Sequence, residues 1–343
     1  MSKKRGGNRL KYQIEQSIKK INYIGISKKE LRDNGVETGI HSISQVKHAL
    51  SVSQNFAEWS RENGVKDLFQ LKRSHYRNYI EHKKAEGVSN GHLINIETNL
   101  RLLQKGMDQI SAEKGFPLRD WIPKTRLIDT SSREKPQDRS YTSDEVEGYR
   151  DKLSDNVKVA ADLQQAFGLR LREAANTRAA HVVERGGKLF WTASSDKGVL
   201  NSAQGVTKAG KGRETPCRPE YESRIRELVQ GKEQGEHVVQ VKYNTLKSAY
   251  NRAGMQGSHA FRHTYAREMM KGELRLHGIE EEGGSMVRRM LENYEAGYRR
   301  DNLLTAEERP LYFEVVQCMD RIQSFLGHGR GRMDLAEVYL KGI

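Results

Sequence analysis

The chain has 343 residues, more than one average domain needs, and carries 59 Lys and Arg against 45 Asp and Glu, a formal net charge of +14. That balance favours a polyanionic partner over an acidic small molecule, although charge alone does not separate nucleic acid from a membrane surface. Two cysteines, Cys217 and Cys318, exclude a disulfide framework, no run of about 18 apolar residues offers a membrane span, and the basic N-terminus has no apolar core behind it; the expected setting is a reducing cytoplasm.

In chain order, residues 1–40 are rich in Lys, Arg and Gly and read as a basic N-terminal arm, mobile or only partly helical. Helical patterning starts at Ser42, with Ile43, Val46, Leu50, Phe56 and Trp59 on one face before Gly64. A second helix carries Tyr76, Tyr79 and Ile80 and ends near Gly87. The third has Leu93, Ile96, Leu100, Leu103, Met107 and Ile110 in one apolar stripe. Together these predict a helical module at 41–116. Pro117, Pro123 and Pro136 interrupt the polar stretch that follows, so 117–140 reads as a linker.

Thr142 and Glu145 have capping-box spacing, which starts a second domain, 141–343, with helices near 143–154 and 156–167. Short strands at 181–183 and 189–192 flank Gly186-Gly187, and a further turn at 209–212 lies between Val206 and Pro216. The expected fold is mainly α with a small β-sheet, an α+β second domain behind a helical first one.

Several segments hold residues able to do chemistry. In Gly168-Leu-Arg-Leu-Arg-Glu173, Arg170 follows a helix break and Glu173 lies three residues on, close enough to hold the guanidinium while its fork faces an anion; a surface ion pair has the same spacing. In Ser258-His-Ala-Phe-Arg-His-Thr-Tyr265, His259 and Arg262 project together, as a phosphate transition state requires, although two solvent-facing basic residues look alike in sequence. Near the C-terminus, Leu326-Gly-His328 precedes a glycine-rich turn and a short helix bearing Tyr339.

The order of these boxes resembles that of the tyrosine recombinases, the phage-type integrases. Gly168-Leu-Arg-Leu-Arg-Glu173 matches the family's first arginine box, and Val206-Thr-Lys-Ala-Gly-Lys-Gly-Arg-Glu-Thr-Pro216 matches its lysine hairpin. The histidine, arginine and tyrosine boxes follow in the same order. The resemblance implies a core-binding domain and a catalytic domain closing as a C-shaped clamp on double-stranded DNA. It also implies a homo-tetramer on two recombination sites, with accessory directionality factors as further partners and no metal or other cofactor. In that reading Arg170, Arg262, His259 and His328 clamp the scissile phosphate, supported by Glu173. Tyr339 attacks to form a 3′-phosphotyrosyl link, and Lys208 protonates the leaving 5′ oxygen. A phenol ordinarily ionises near about 10, so a neighbour must share its proton, and His259 is the candidate. Lys72, Arg73, His75 and Arg77 are plausible phosphate contacts, although a solvated helix face explains them equally.

Departures from the family pattern matter too. His259 and His328 lie 69 positions apart, which predicts an insertion at about 272–310, an acidic turn and a basic amphipathic helix that could brace a neighbouring protomer, touch DNA or decorate the surface. Lys197 competes with Lys208 for the hairpin position. Four residues follow Tyr339, which leaves protomer coupling to another surface, the insertion being one candidate. Two other readings stay open: a DNA-binding regulator that has lost catalysis, and a type IB topoisomerase-like enzyme.

Overall fold

The computed structural model describes residues 3–343 except Arg119, Gln256 and Ser258; of residues 3–8 and Ala209 the side chains are also left aside. The start of the basic arm, Met1 and Ser2, and the Ser258 that precedes His259 therefore lie outside the described residues. The chain divides into two compact units, Met1–Lys135 and Pro136–Ile343.

The first unit contains α1 (Lys3–Lys20), α2 (Lys28–Asp33), α3 (Ile43–Glu62), α4 (Arg73–Ala85) and α5 (Asn90–Lys114). Ser42 and Ser89 cap α3 and α5 by accepting from the amides of Gln45 and His92, and Gly115 ends α5 in the left-handed region. Leu93, Ile96, Leu100, Leu103 and Met107 are buried along α5, as the apolar stripe requires, whereas Ile43 is exposed at the start of α3. The arm differs from expectation: α1 is a helix whose Leu10, Ile14 and Ile18 recur every fourth residue and are buried against α3 and α5. Three aliphatic positions on one face outweigh the neighbouring Arg9, Lys11, Lys19 and Lys20, which stay exposed. α1 lies so near α5 that a Cβ on Gly106 would come within 2.0 Å of the Ser17 carbonyl. The expected linker is also partly core. Trp121, Ile122 and Ile128 are buried, Trp121 stacks on Phe56 at 5.4 Å, and Glu134 accepts from the Asn90 and Gly91 amides at 2.6 and 2.9 Å.

The second unit opens with α6 (Ser143–Asp151), whose capping box forms as predicted: the Thr142 amide donates to Glu145 at 2.8 Å and the Glu145 amide to Thr142 at 3.2 Å. Then come α7 (Asp155–Phe167), α8 (Leu171–Ala175), β1 (Val182–Arg185), β2 (Lys188–Ala193), β3 (Arg213–Pro216), α9 (Glu222–Val229), α10 (Tyr243–Arg252), α11 (Ala260–Leu276), α12 (Glu280–Glu295), α13 (Arg309–Phe325) and α14 (Met333–Tyr339). The strands form an antiparallel sheet in the order β1-β2-β3, with Trp191 opposite Val182 on one side and Thr215 on the other. Trp191 is fully buried and donates to Thr177 at 3.0 Å.

Gly168 joins α7 to α8 at φ +61°, and a Cβ there would lie 2.4 Å from the Tyr265 ring, so glycine is needed for both backbone and space. α11 runs unbroken through Gly272, and α12 with the loop before α13 fills the rest of the stretch in which the insertion is expected. α12 buries Met286, Val287, Met290 and Leu291 in a core shared with α11, α13 and α14. Among the described residues no helix is long and apolar enough to cross a membrane.

Candidate active site

The site begins at the α7–α8 break. Gly168 turns the chain, Arg170 becomes the residue before α8, and Glu173 reaches back from the first turn to accept from the Arg170 amide at 2.8 Å. The other oxygen of Glu173 binds Arg170 Nη1 at 2.8 Å. Arg213, on β3, brings Nη2 to 3.2 Å from Glu173, so one carboxylate, 1% exposed, serves two guanidiniums. Burial alone would raise the Glu173 pKa, but the charges of Arg213, Arg262 and Arg170 and the Arg170 amide hold it below the ordinary carboxylate range.

Arg262 sits in the first turn of α11 with no solvent exposure. It donates to the carbonyls of Gly168 at 2.7 Å and of Leu326, and Nη2 lies 3.5 Å from Nε2 of His328. Burial, then the nearby charges of Arg213 and Arg170, pushes its pKa down to about 9. The same guanidinium thus pins the α7–α8 turn to the turn that presents His328. Burial and the positive charges of Arg262, Arg170 and Arg213 push His328 down to about 3, so the free site holds a neutral imidazole at neutral pH.

Tyr339, the last residue of α14, is 7% exposed. Arg262 lies over its ring at 5.6 Å, the His328 ring is 5.3 Å away and the His263 ring 4.7 Å away. α14 packs on α11, α12 and α13, and the residues after Tyr339 are tied down: Arg267 donates to the Gly342 carbonyl at 2.7 Å and Lys341 pairs with Glu295 of α12 at 2.5 Å. α12 therefore braces the tyrosine helix within its own chain. Arg170, Glu173, Arg262, His328 and Tyr339 come together in one subunit.

The remaining expected residues are placed differently. His259 caps α11 and is exposed; the surrounding protein, followed by the charges of Arg262 and Arg170, lowers its pKa. The imidazoles against the Tyr339 ring are those of His263 and His328. Lys208 and Lys197 are both exposed on the long connection from β2 to β3, so their competition is not resolved by position. In the first unit Lys72, Arg73 and Arg77 are exposed at the start of α4, and Arg73 is already paired with Asp120 at 2.5 Å.

Sequence reasoning missed Arg213 and His263. Arg213 lies within the basic hairpin run, but its partner in the strand alternation, Thr215, is fully buried, and that alternation is the signal for an inward-facing arginine. His263 directly follows Arg262 and is 4% exposed, with a pKa pushed down to about 4 by burial and then by His259. Among the described residues, the donor atoms of Glu273, His277 and Cys318 lie within 4.8 Å of one another and could hold a metal ion. Glu273 is already paired with Arg321, and His277 with Glu314 at 2.6 Å, so the carboxylate and the imidazole have partners without one.

No family model and no curated protein matches the chain. Solved structures do. The λ integrase fragment 75–356, a dimer bound to a COC′ core site, is 14% identical, with 96% of this chain and 95% of that chain covered at a TM-score of 0.50. A longer λ integrase dimer on the same site gives 14% identity, coverage of 97% and 78%, and a TM-score of 0.50. The XerH site-specific recombinase bound to its difH substrate gives 12% identity, coverage of 99% and 94%, and a TM-score of 0.49. The chain thus has the fold of the integrases, a mainly helical protein with a small antiparallel sheet, and resembles the tyrosine recombinases in its architecture.

Proposed function

We propose that this chain is a site-specific DNA recombinase of the tyrosine type, cleaving and rejoining strands for integration, excision or resolution of DNA. The observation that carries the proposal is the gathering of Arg262 and His328 against the ring of Tyr339, with the charge of Arg170 acting on both.

In the proposed reaction the guanidiniums of Arg170 and Arg262 bind the non-bridging oxygens of the scissile phosphate, and Glu173 fixes Arg170. The Tyr339 oxygen attacks phosphorus, a phosphotyrosyl bond forms at the 3′ side, and the 5′ oxygen leaves with a proton from Lys208 or Lys197. A 5′ hydroxyl from another strand reverses the step. The phosphodiester energy stays in the protein–DNA bond, so the exchange needs no ATP, and the arginines carry the charge a metal would otherwise neutralise. His259 or His328 shares the tyrosine proton. His328 has the ring contact with Tyr339, 5.3 Å between centroids, and a bound phosphate would offset the arginine charges that, after burial, hold its pKa down.

The first unit supplies phosphate contacts to duplex DNA through Lys72, Arg73 and Arg77, four copies acting on two sites in the cytoplasm where that DNA lies. The λ integrase dimer solved on a COC′ core site supports the DNA-binding part of this reading.

The test is to incubate the chain with DNA flanking its own gene, quench in detergent, and look for a covalent adduct and recombinant junctions. An adduct that disappears in Tyr339→Phe supports the proposal, and sequencing its ends gives the target. Binding with no adduct would favour a silent regulator, and relaxation of supercoils without junctions a type IB topoisomerase.

A further inference from the structure

We propose that Arg213 is a third guanidinium acting on the reacting phosphate, tuned to the transition state rather than to the bound DNA; this rests on the recombinase reading above. Arg213 is held from several sides. Its guanidinium lies over the Trp191 ring at 5.2 Å and near Glu173 at 3.2 Å, and its stem passes within 3.1 Å of where a Cβ on Gly327 would stand, in the turn that presents His328.

What the fold does not supply is acceptors. Nε, Nη1 and Nη2 of Arg213 are all buried without a hydrogen-bond partner, the Glu173 contact being an ion pair off the donor axis, and the same holds for Nε of Arg262 and Nδ1 of His328. Buried guanidinium donors left unpaired are costly, so a cluster of them beside Glu173 and His328 is a candidate site for an anion.

The charge balance says which anion state. Arg170, Arg213 and Arg262 stand against the single carboxylate of Glu173, and His263 and His328 are neutral at pH 7, so two positive charges remain. A phosphodiester carries one negative charge, and its five-coordinate transition state gathers nearly two on the non-bridging oxygens. Two guanidiniums beside Glu173 would match the ground state; the third matches the transition state, which is the condition for accelerating the step rather than tightening binding.

The experiment compares wild type with Arg213→Gln on the fragment that yields the Tyr339 adduct, prepared with a normal scissile phosphate or with a neutral methylphosphonate there. On phosphate, cleavage by Arg213→Gln should fall about 10²- to 10³-fold with DNA affinity little changed. On methylphosphonate the defect should shrink to less than about tenfold, because there is less charge to neutralise. Equal cleavage of phosphate by both proteins, or an equal defect on both substrates, overturns the proposal.

A second arm uses orthovanadate, a tetrahedral oxyanion that becomes five-coordinate when an oxygen such as that of Tyr339 adds to it, and needs no target sequence. It should raise the melting temperature of wild type more than that of Arg213→Gln, and equal rises overturn the proposal. If wild type forms no adduct at all, the recombinase reading fails while the vanadate arm still decides on Arg213. Should Arg213→Gln not fold, Arg213→Lys replaces it. The lysine keeps the charge without the fork and should retain the vanadate shift with about tenfold slower cleavage; a folded Arg213→Lys without that shift overturns the charge role.

Discussion

Arg170, Arg213 and Arg262 are fixed by a shared carboxylate, two backbone carbonyls and an indole face, whereas Lys197 and Lys208 stand exposed on the connection between β2 and β3. Both groups are cationic and both belong to the same proposed reaction. Groups that neutralise charge act best when their dipoles need not reorganise, so burial suits them. A proton donor must reach a leaving oxygen that arrives with the DNA, and an exposed connection leaves that approach open. The contrast predicts that damage to the arginine cluster will appear in the free protein, and damage to the lysines only once DNA is bound.

The largest effect should come from Tyr339→Phe, which abolishes the covalent adduct while DNA affinity in gel shift stays near wild type, because the ring packing survives and the nucleophile alone is removed. Residual adduct at the same DNA position would assign the nucleophile elsewhere. Next, Lys208→Ala and Lys197→Ala can be compared in single-turnover cleavage. The general acid should lose about 10²- to 10⁴-fold and regain most of it on a substrate with a 5′-sulfur leaving group, which needs no proton; the bystander should lose little. Recovery by neither variant would remove both lysines from that role.

On the buried side, Glu173→Gln leaves two guanidiniums without their carboxylate and should destabilise the free protein by about 3 to 5 kcal/mol, read from denaturant unfolding. An unchanged midpoint would mean the carboxylate is not what holds the cluster. Ile14→Ala in α1 should cost about 2 to 4 kcal/mol in the unfolding of the first unit, as core truncation does and loss of a loose arm does not.

The smallest effect concerns pH. His328, His263 and His181 are held down to about 3, about 4 and about 4 in the folded protein, each chiefly by burial. Below the ordinary histidine pKa near 6.5 the unfolded chain therefore binds more protons than the native one. Stability contributed by their neutral forms is complete above that value and lost progressively as pH falls toward about 4. Melting temperature should decline across this window, and His263→Phe should shallow the slope; an identical slope would place the titration elsewhere.

Much of this was legible in the sequence. The Thr142–Glu145 box, the α5 stripe and the Gly186-Gly187 turn follow from local rules and appear where those rules put them. The boxes around Arg170, Arg262, His328 and Tyr339 are ambiguous by spacing alone and stand out only through their resemblance, in order, to those of the tyrosine recombinases. The arm was misread because Leu10, Ile14 and Ile18 are diluted by charge and gain their meaning from α3 and α5. Trp121 and Ile128 were read as linker for the same reason, since a core contributed by irregular chain has no period to detect. The burial of Arg213 and the ring contact of His263 with Tyr339 depend on packing between elements distant in sequence, which no spacing rule encodes.

Gly168 offers a last lesson about how such a site is vulnerable. Its carbonyl receives Arg262, its missing side chain makes room for Tyr265, and Tyr265 in turn bonds to Thr215 and the Pro216 carbonyl, each at 2.8 Å, on the strand that carries Arg213. Arg170 is two residues along. A methyl group added at this one peptide would therefore be transmitted to all three guanidiniums by separate routes, making Gly168 a single point of failure for a cluster whose members come from three different elements.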